Sequence, residues 1–286
     1  MDWRKTQMIF IVTLLILNVF LAVIFFNKQL SDDPDTLGNE TLEERLKADN
    51  ISHPDLSTKP TSGSIFTTER AAFTTKDVSD LTGQAITLKD NNKQIYSVLQ
   101  TPVKAGKKGS NPEFQKFMES DVYRGESYQF WNYDKDARTL TFNQLINNNM
   151  VLFDEAGQIT FYLDQDDRVI SYEQTWMSKQ DDLKDKTNLM SATDALEAVY
   201  QHGELKQDSD VVSATFGYYT TVQLPSGNVY FPVWCFEVKH SGETNYVLVN
   251  AKDEQVINQS IRQQINHRAR YRIIEPSENQ IKNEST

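Results

Sequence analysis

Cysteine is almost absent from this chain. One residue, Cys235, stands among 286, so a disulfide scaffold is excluded. Histidine is scarce as well. The four histidines, His53, His202, His240 and His267, are far apart and show no metal-ligand spacing. Positive charge is in deficit: 29 Lys and Arg face 40 Asp and Glu, for a net charge of −11. An acidic chain is poorly suited to binding nucleic acid by bulk electrostatics, because phosphate is anionic. Long hydrophobic runs are missing except for one, which excludes a multi-span membrane protein. The apolar fraction is 38%, below the ~45–50% (a count that includes Gly) common in globular chains. Even so, 15 Phe, 12 Tyr and 4 Trp supply enough aromatic surface for real cores and exclude wholesale disorder.

The single apolar run is Met8–Phe26, nineteen residues without a charge, fifteen of them Leu, Ile, Val or Phe. As a helix it spans about 28 Å, close to the ~30 Å hydrocarbon core of a bilayer. At about 0.3–0.6 kcal/mol per large apolar residue, insertion gains at most roughly 5–9 kcal/mol. Asn18 and Thr13 reduce this without reversing it. A cleaved signal peptide would carry a shorter core and a small-x-small site. Here the run closes on Val23-Ile24-Phe25-Phe26, a poor cleavage site. An uncleaved anchor is therefore expected over residues 8–26. Arg4 and Lys5 precede the run, while Asp32, Asp33 and Asp35 follow it. A cytoplasmic tail over 1–7 and a C-terminal region outside the cell membrane fit these flanks. A near absence of cysteine is compatible with an oxidising exterior. The triplets starting at Asn39, Asn50, Asn258 and Asn283 would be glycosylation acceptors on a eukaryotic route; in a bacterium they are chance.

Beyond the anchor, an α+β region of antiparallel sheets, each packed with a helix, is expected. Residues 27–63 read as a stalk. Within it, Thr41 and Glu44 have capping-box spacing and open a short helix to about Asp49. A first exterior unit is expected over 64–178 and consists mainly of short strands. Ala85–Leu88 and Gln94–Val98 flank the turn residues Asp90-Asn91-Asn92. Asn111 caps a helix from Pro112 to Val122, with Phe114, Phe117 and Met118 on one face. Strands follow at Tyr128–Tyr133, Arg138–Asn143, Gln158–Leu163 and Val169–Trp176. A second unit is expected over 179–274. Its helix is capped by Ser191 with Asp194 three residues on, and Gly203 ends it. A meander follows over Val211–Leu224, Val229–Lys239 and Thr244–Asn250. Each half thus places a helix before antiparallel strands. Residues 275–286 read as a polar tail.

The sequence carries no H-E-x-x-H, G-x-S-x-G, G-x-G-x-x-G or phosphate-cradling glycine loop. Cys235, between Trp234 and Phe236, reads as a small hydrophobe of a strand rather than a nucleophile. Asp164, Asp166 and Asp167 lack the glycine and distal glutamate of a calcium loop and read as a solvated turn, as do Asp134 and Asp136. Catalytic, cofactor and metal residues are therefore all expected to be none. The run Arg262, His267, Arg268, Arg270 and Arg272 reads as a solvated helix face, with an anionic surface as the sharper alternative. Asn18 is the polar residue that stands out. Lipid cannot hydrate its amide, and a bond to another helix is worth roughly 0.6–2 kcal/mol. Ile11, Leu14, Ala22 and Phe25 share its helix face, and small Ala22 permits close approach. A bond from Asn18 to its own backbone is the bland alternative.

The opening Met1-Asp2-Trp3-Arg4-Lys5-Thr6, its continuation through Ile9-Phe10-Ile11 and Leu15–Leu21, and the stretch Glu43–Ile51 resemble the YycI (WalI) regulatory proteins of low-GC Gram-positive bacteria. The helix-and-meander halves also look loosely like YycH and PepSY-type exterior modules. The resemblance implies a membrane-anchored accessory protein that associates with a YycH-type partner and with the WalK (YycG) sensor histidine kinase, tuning control of cell-wall metabolism genes through contacts that include membrane helices. It brings no catalytic residues. Ile11, Leu14, Asn18, Ala22 and Phe25 are then the candidate partner-binding residues. A surface module for a wall polymer or small ligand is the alternative, and a secreted hydrolase has no candidate residue set.

Overall fold

A computed structural model describes residues 3–31, 41–178, 181–224 and 227–257, with side chains throughout except at 5, 6, 9, 23–31, 181 and 222–224. The basic run Arg262–Arg272 and the tail 275–286 lie outside the described residues. The chain divides into two units, residues 1–50 and the remainder from Ile51.

Among its described residues the first unit holds two helices. α1 runs continuously over Trp3–Ser31. α2 spans Leu42–Ala48 and opens with the capping box expected from sequence: Thr41 Oγ1 accepts the Glu44 backbone N–H, and the Glu44 carboxylate accepts the Thr41 backbone N–H. Among the described residues no helix is long and apolar enough to cross a membrane. Within α1, side chains are described continuously only over Phe10–Ala22, a stretch of about 20 Å at 1.5 Å per residue.

The second unit is mostly sheet. In chain order it contains β1 (Thr61–Gly63), β2 (Phe66–Thr68), α3 (Thr75–Val78), β3 (Gln84–Lys89), β4 (Gln94–Lys104), α4 (Pro112–Ser120), β5 (Tyr128–Asp134), β6 (Thr139–Ile146), β7 (Asn149–Val151), β8 (Gln158–Leu163) and β9 (Arg168–Gln174). There follow β10 (Asp181–Asp182), β11 (Thr187–Leu189), α5 (Ala192–Gln201), β12 (Asp210–Leu224), β13 (Gly227–His240), β14 (Glu243–Asn250) and β15 (Val256–Ile257). The helix ends follow local chemistry. Asn111 Oδ1 accepts the Glu113 backbone N–H before Pro112 opens α4. Ser191 and Asp194 form a capping box for α5, and Gly203 takes up a positive φ of 71° just past its end.

Two lobes emerge. In the first, strands run β3-β4-β9-β8-β6-β5, all antiparallel. α4 lies on one face of this sheet and buries Phe114, Phe117 and Met118. Phe114 meets Phe161 at 5.1 Å between ring centroids, and Phe117 meets Tyr172 at 6.2 Å. In the second lobe, β13 is central. β12 pairs along its whole length; β2 and β14 share its other side, β2 at Asn228–Tyr230 and β14 at Val233–His240. α5 packs over β13 and β14 with Ala195, Leu196 and Val199 fully buried. Three-residue β7 joins the lobes: it is antiparallel to β6 and parallel to β12, with Gly217 opposite Met150 and Tyr218 opposite Val151.

These pairings redraw the expected boundaries. Units over 64–178 and 179–274 share one sheet, because β2 and β7 from the first half pair with β13 and β12 of the second. The stalk expected over 27–63 is shorter. Ile51 is buried, Ser52 bridges to Asp210, and β1 pairs with β11, so residues 51–63 belong to the second unit.

Candidate functional site

No described group of His, Cys, Asp and Glu is placed to hold a metal ion. The described histidines stay apart. His53 Nδ1 pairs with the Pro54 carbonyl at 2.9 Å, His202 Nδ1 with the Ala198 carbonyl at 2.7 Å, and His240 Nδ1 with Ser209 Oγ at 3.5 Å. The thiol of Cys235 is buried, and that burial pushes its pKa well above the ordinary value, with the Glu237 charge acting in the same direction. It therefore lacks thiolate character. The acidic turn is self-contained. Asp164 accepts the backbone N–H groups of Asp166 and Arg168, each at 2.9 Å, and its carboxylate pairs with the Arg168 guanidinium at 2.8 Å. The Arg168 backbone N–H, then its guanidinium and the Asp166 N–H, hold its pKa below the ordinary carboxylate value. A calcium ion would have to displace them. Asp134 likewise accepts the Ala137 N–H at 2.8 Å within its own turn.

One cleft of the second unit, lined by Gly63, Ile65, Lys184, Leu189 and Pro232 among others, has a volume of ≈ 10 Å³, room for about one water molecule.

The remaining candidate is one side of α1. Ile11, Leu14, Leu15, Asn18, Val19 and Ala22 line a shallow open groove along it. Spacings of three and four residues put these positions on one face. Ile11 and Leu14 are 64% and 53% exposed, and Asn18 and Ala22 are exposed too. The helix thus offers an apolar stripe interrupted by one amide, and among the described residues that amide has no hydrogen-bond partner. Four of the five residues singled out from sequence share this side; the side chain of Phe25 lies outside the described residues. An apolar face of this kind can pack against another apolar helix while offering it a donor and an acceptor.

A family model for the YycI protein matches residues 31–252, most of the chain. The chain belongs to the YycI family. The matched region begins where α1 ends and closes just after β14. YycI proteins are regulatory accessory proteins of the WalK/WalR two-component system and not an enzyme family. No curated protein matches this YycI chain. Among solved structures, an uncharacterized protein from Eubacterium rectale ATCC 33656 is similar at 10% identity and a TM-score of 0.46, covering 74% of this chain and 91% of its own. YycH from Bacillus subtilis is similar at 17% identity and a TM-score of 0.40, with coverage of 67% and 53%. This YycI chain therefore spans about half the length of that YycH. The Bacillus megaterium YpeB C-terminal domain is similar at 13% identity and a TM-score of 0.38, covering 64% of this chain and 92% of its own.

Proposed function

We propose that this YycI-family protein is an accessory regulator held in the cell membrane by residues 8–26, with its N-terminus in the cytoplasm and its mostly β body outside. Together with a YycH-type partner it biases the WalK (YycG) sensor histidine kinase, which controls cell-wall metabolism. The observation that carries this reading is the exposed apolar side of α1, on which the Asn18 amide has no hydrogen-bond partner among the described residues. Nineteen uncharged residues favour the bilayer. Inside it, the amide gains by bonding a second helix, worth roughly 0.6–2 kcal/mol. A contact that differs between two kinase states shifts their populations, about tenfold for ~1.4 kcal/mol. No catalysis and no ligand are needed.

Replacing Asn18 with Leu keeps the helix apolar and removes the amide. Co-purification of the kinase from solubilised membranes is expected to fall about 3- to 30-fold. Unchanged association would remove Asn18 from the mechanism.

A further inference from the structure

The two lobes meet at a short segment with unusual backbone. Phe153 follows β7 and adopts φ = 55°, the left-handed region that an aromatic residue rarely occupies. Such a residue persists only where its surroundings hold it. Here the ring of Phe153 sits against Trp131 of β5 at 5.3 Å and Tyr246 of β14 at 5.3 Å, one ring from each lobe. On either side, the Leu152 N–H donates to the Tyr218 carbonyl at 2.8 Å, and the Tyr230 hydroxyl donates to Asp154 at 2.7 Å. The segment presses directly on β12: a Cβ at Gly217 would lie 2.5 Å from the Met150 carbonyl oxygen and 2.9 Å from Leu152 Cδ1. Met150, Leu152 and Phe153 complete an apolar cluster with Tyr219, Val233, Cys235 and Leu248 of the second lobe. The first lobe's own core contains none of these residues.

We propose that residues 150–154 form a strained latch between the lobes. Opening it leaves the first lobe's core intact and uncovers the Val233–Cys235–Leu248 face of the second lobe, so the exterior body has a second shape available without unfolding. The backbone strain at Phe153 lowers the free energy needed to open; the Trp131 and Tyr246 rings oppose it. The inference is independent of the α1 contact.

Cys235 is the chain's one cysteine and belongs to the covered cluster, so its labelling by an aromatic disulfide reagent reports opening. The experiment uses the full chain in detergent micelles, at urea concentrations below the unfolding transition. Wild-type Cys235 is expected to label through an opening with a much shallower urea dependence than global unfolding. Trp131→Ala should speed labelling about tenfold or more while leaving the urea midpoint, read from Trp176 in the first lobe, nearly in place. Tyr246→Ala gives the same reading should Trp131→Ala fail to fold. Phe153→Ala, which loses the ring but keeps the strain, should label about fivefold faster than Phe153→Gly, which loses both. Labelling of wild type and variants only with the steep urea dependence of global unfolding would overturn the latch. Equal rates for the Ala and Gly variants would overturn its strained character.

Discussion

The two lobes solve the same packing problem differently. In the first, α4 covers one face of the sheet, and exposure alternates along β3, where Ala85, Thr87 and Lys89 are more open than Gln84, Ile86 and Leu88. Side chains on the open face interact with each other: Lys89 sits 3.8 Å over the Tyr96 ring, and Tyr162 donates to Glu173. In the second, both faces are covered, α5 on one and the latch segment on the other. Val233-Trp234-Cys235-Phe236 is accordingly buried without a break, and successive residues of a strand point to opposite faces. A helix followed by a meander is therefore a shared outline. The second lobe depends on a segment borrowed from the first, whereas the first has its own closed core.

Four changes sharpen or break this contrast. The largest effect is expected from Phe161→Ala, at the centre of the first core, where its ring meets those of Phe114, Phe142 and Tyr172. A loss of about 3–5 kcal/mol in urea unfolding is expected. A loss shared fully by Trp234 in the second lobe would show that the two lobes unfold as one. Next comes Gly217→Ala, whose Cβ has no room beside Met150 and Leu152. A loss of about 1–3 kcal/mol is expected, together with faster labelling of Cys235. An unchanged midpoint would mean that β7 does not press on β12. Ser191→Ala removes the cap of α5 and should cost about 1 kcal/mol, read in the second lobe alone by Trp234 fluorescence.

The smallest effect concerns acid. Asp77, Asp121 and Asp164 are held below 3.8, chiefly by hydrogen bonds from Thr74, from Ser120 and from the Arg168 backbone, respectively. All three lie in the first lobe. Because their folded-state values are depressed, they support folding above about pH 4, and that support is lost as pH falls through those values. Each is well solvated, so screening keeps the effect small. Asp121→Asn should flatten the acid limb of stability read from Trp176. An unaltered limb would assign acid sensitivity elsewhere.

Much of this architecture is written in local sequence. Asn111-Pro112 marks the start of α4, and Ser191 with Asp194 marks that of α5. The turn at Asp90-Asn91-Asn92 takes positive φ at all three residues, as Asp and Asn tolerate. β8 occupies the expected Gln158–Leu163. What escaped sequence reading is what distant partners impose. β1, β7 and β11 are three residues each, too short to show a period, and exist because other strands pair with them. β4 continues past Val98 through Pro102 to Lys104 because β9 meets it again at Val103 after an irregularity. Nothing near Phe153 announces a left-handed backbone; its setting is made by Trp131 and Tyr246. The α1 face is the opposite case, since helical spacing alone brings Ile11, Leu14, Asn18 and Ala22 together.

The central claim is that this face meets another protein inside the membrane. Photo-crosslinking amino acids placed singly at positions 11, 14, 18 and 22, and at 12, 16 and 20 around the helix, test it in living cells. A discrete adduct of kinase or YycH-type mass is expected from the first set and little from the second. Adducts of equal yield from both sets, or none from either, would contradict it.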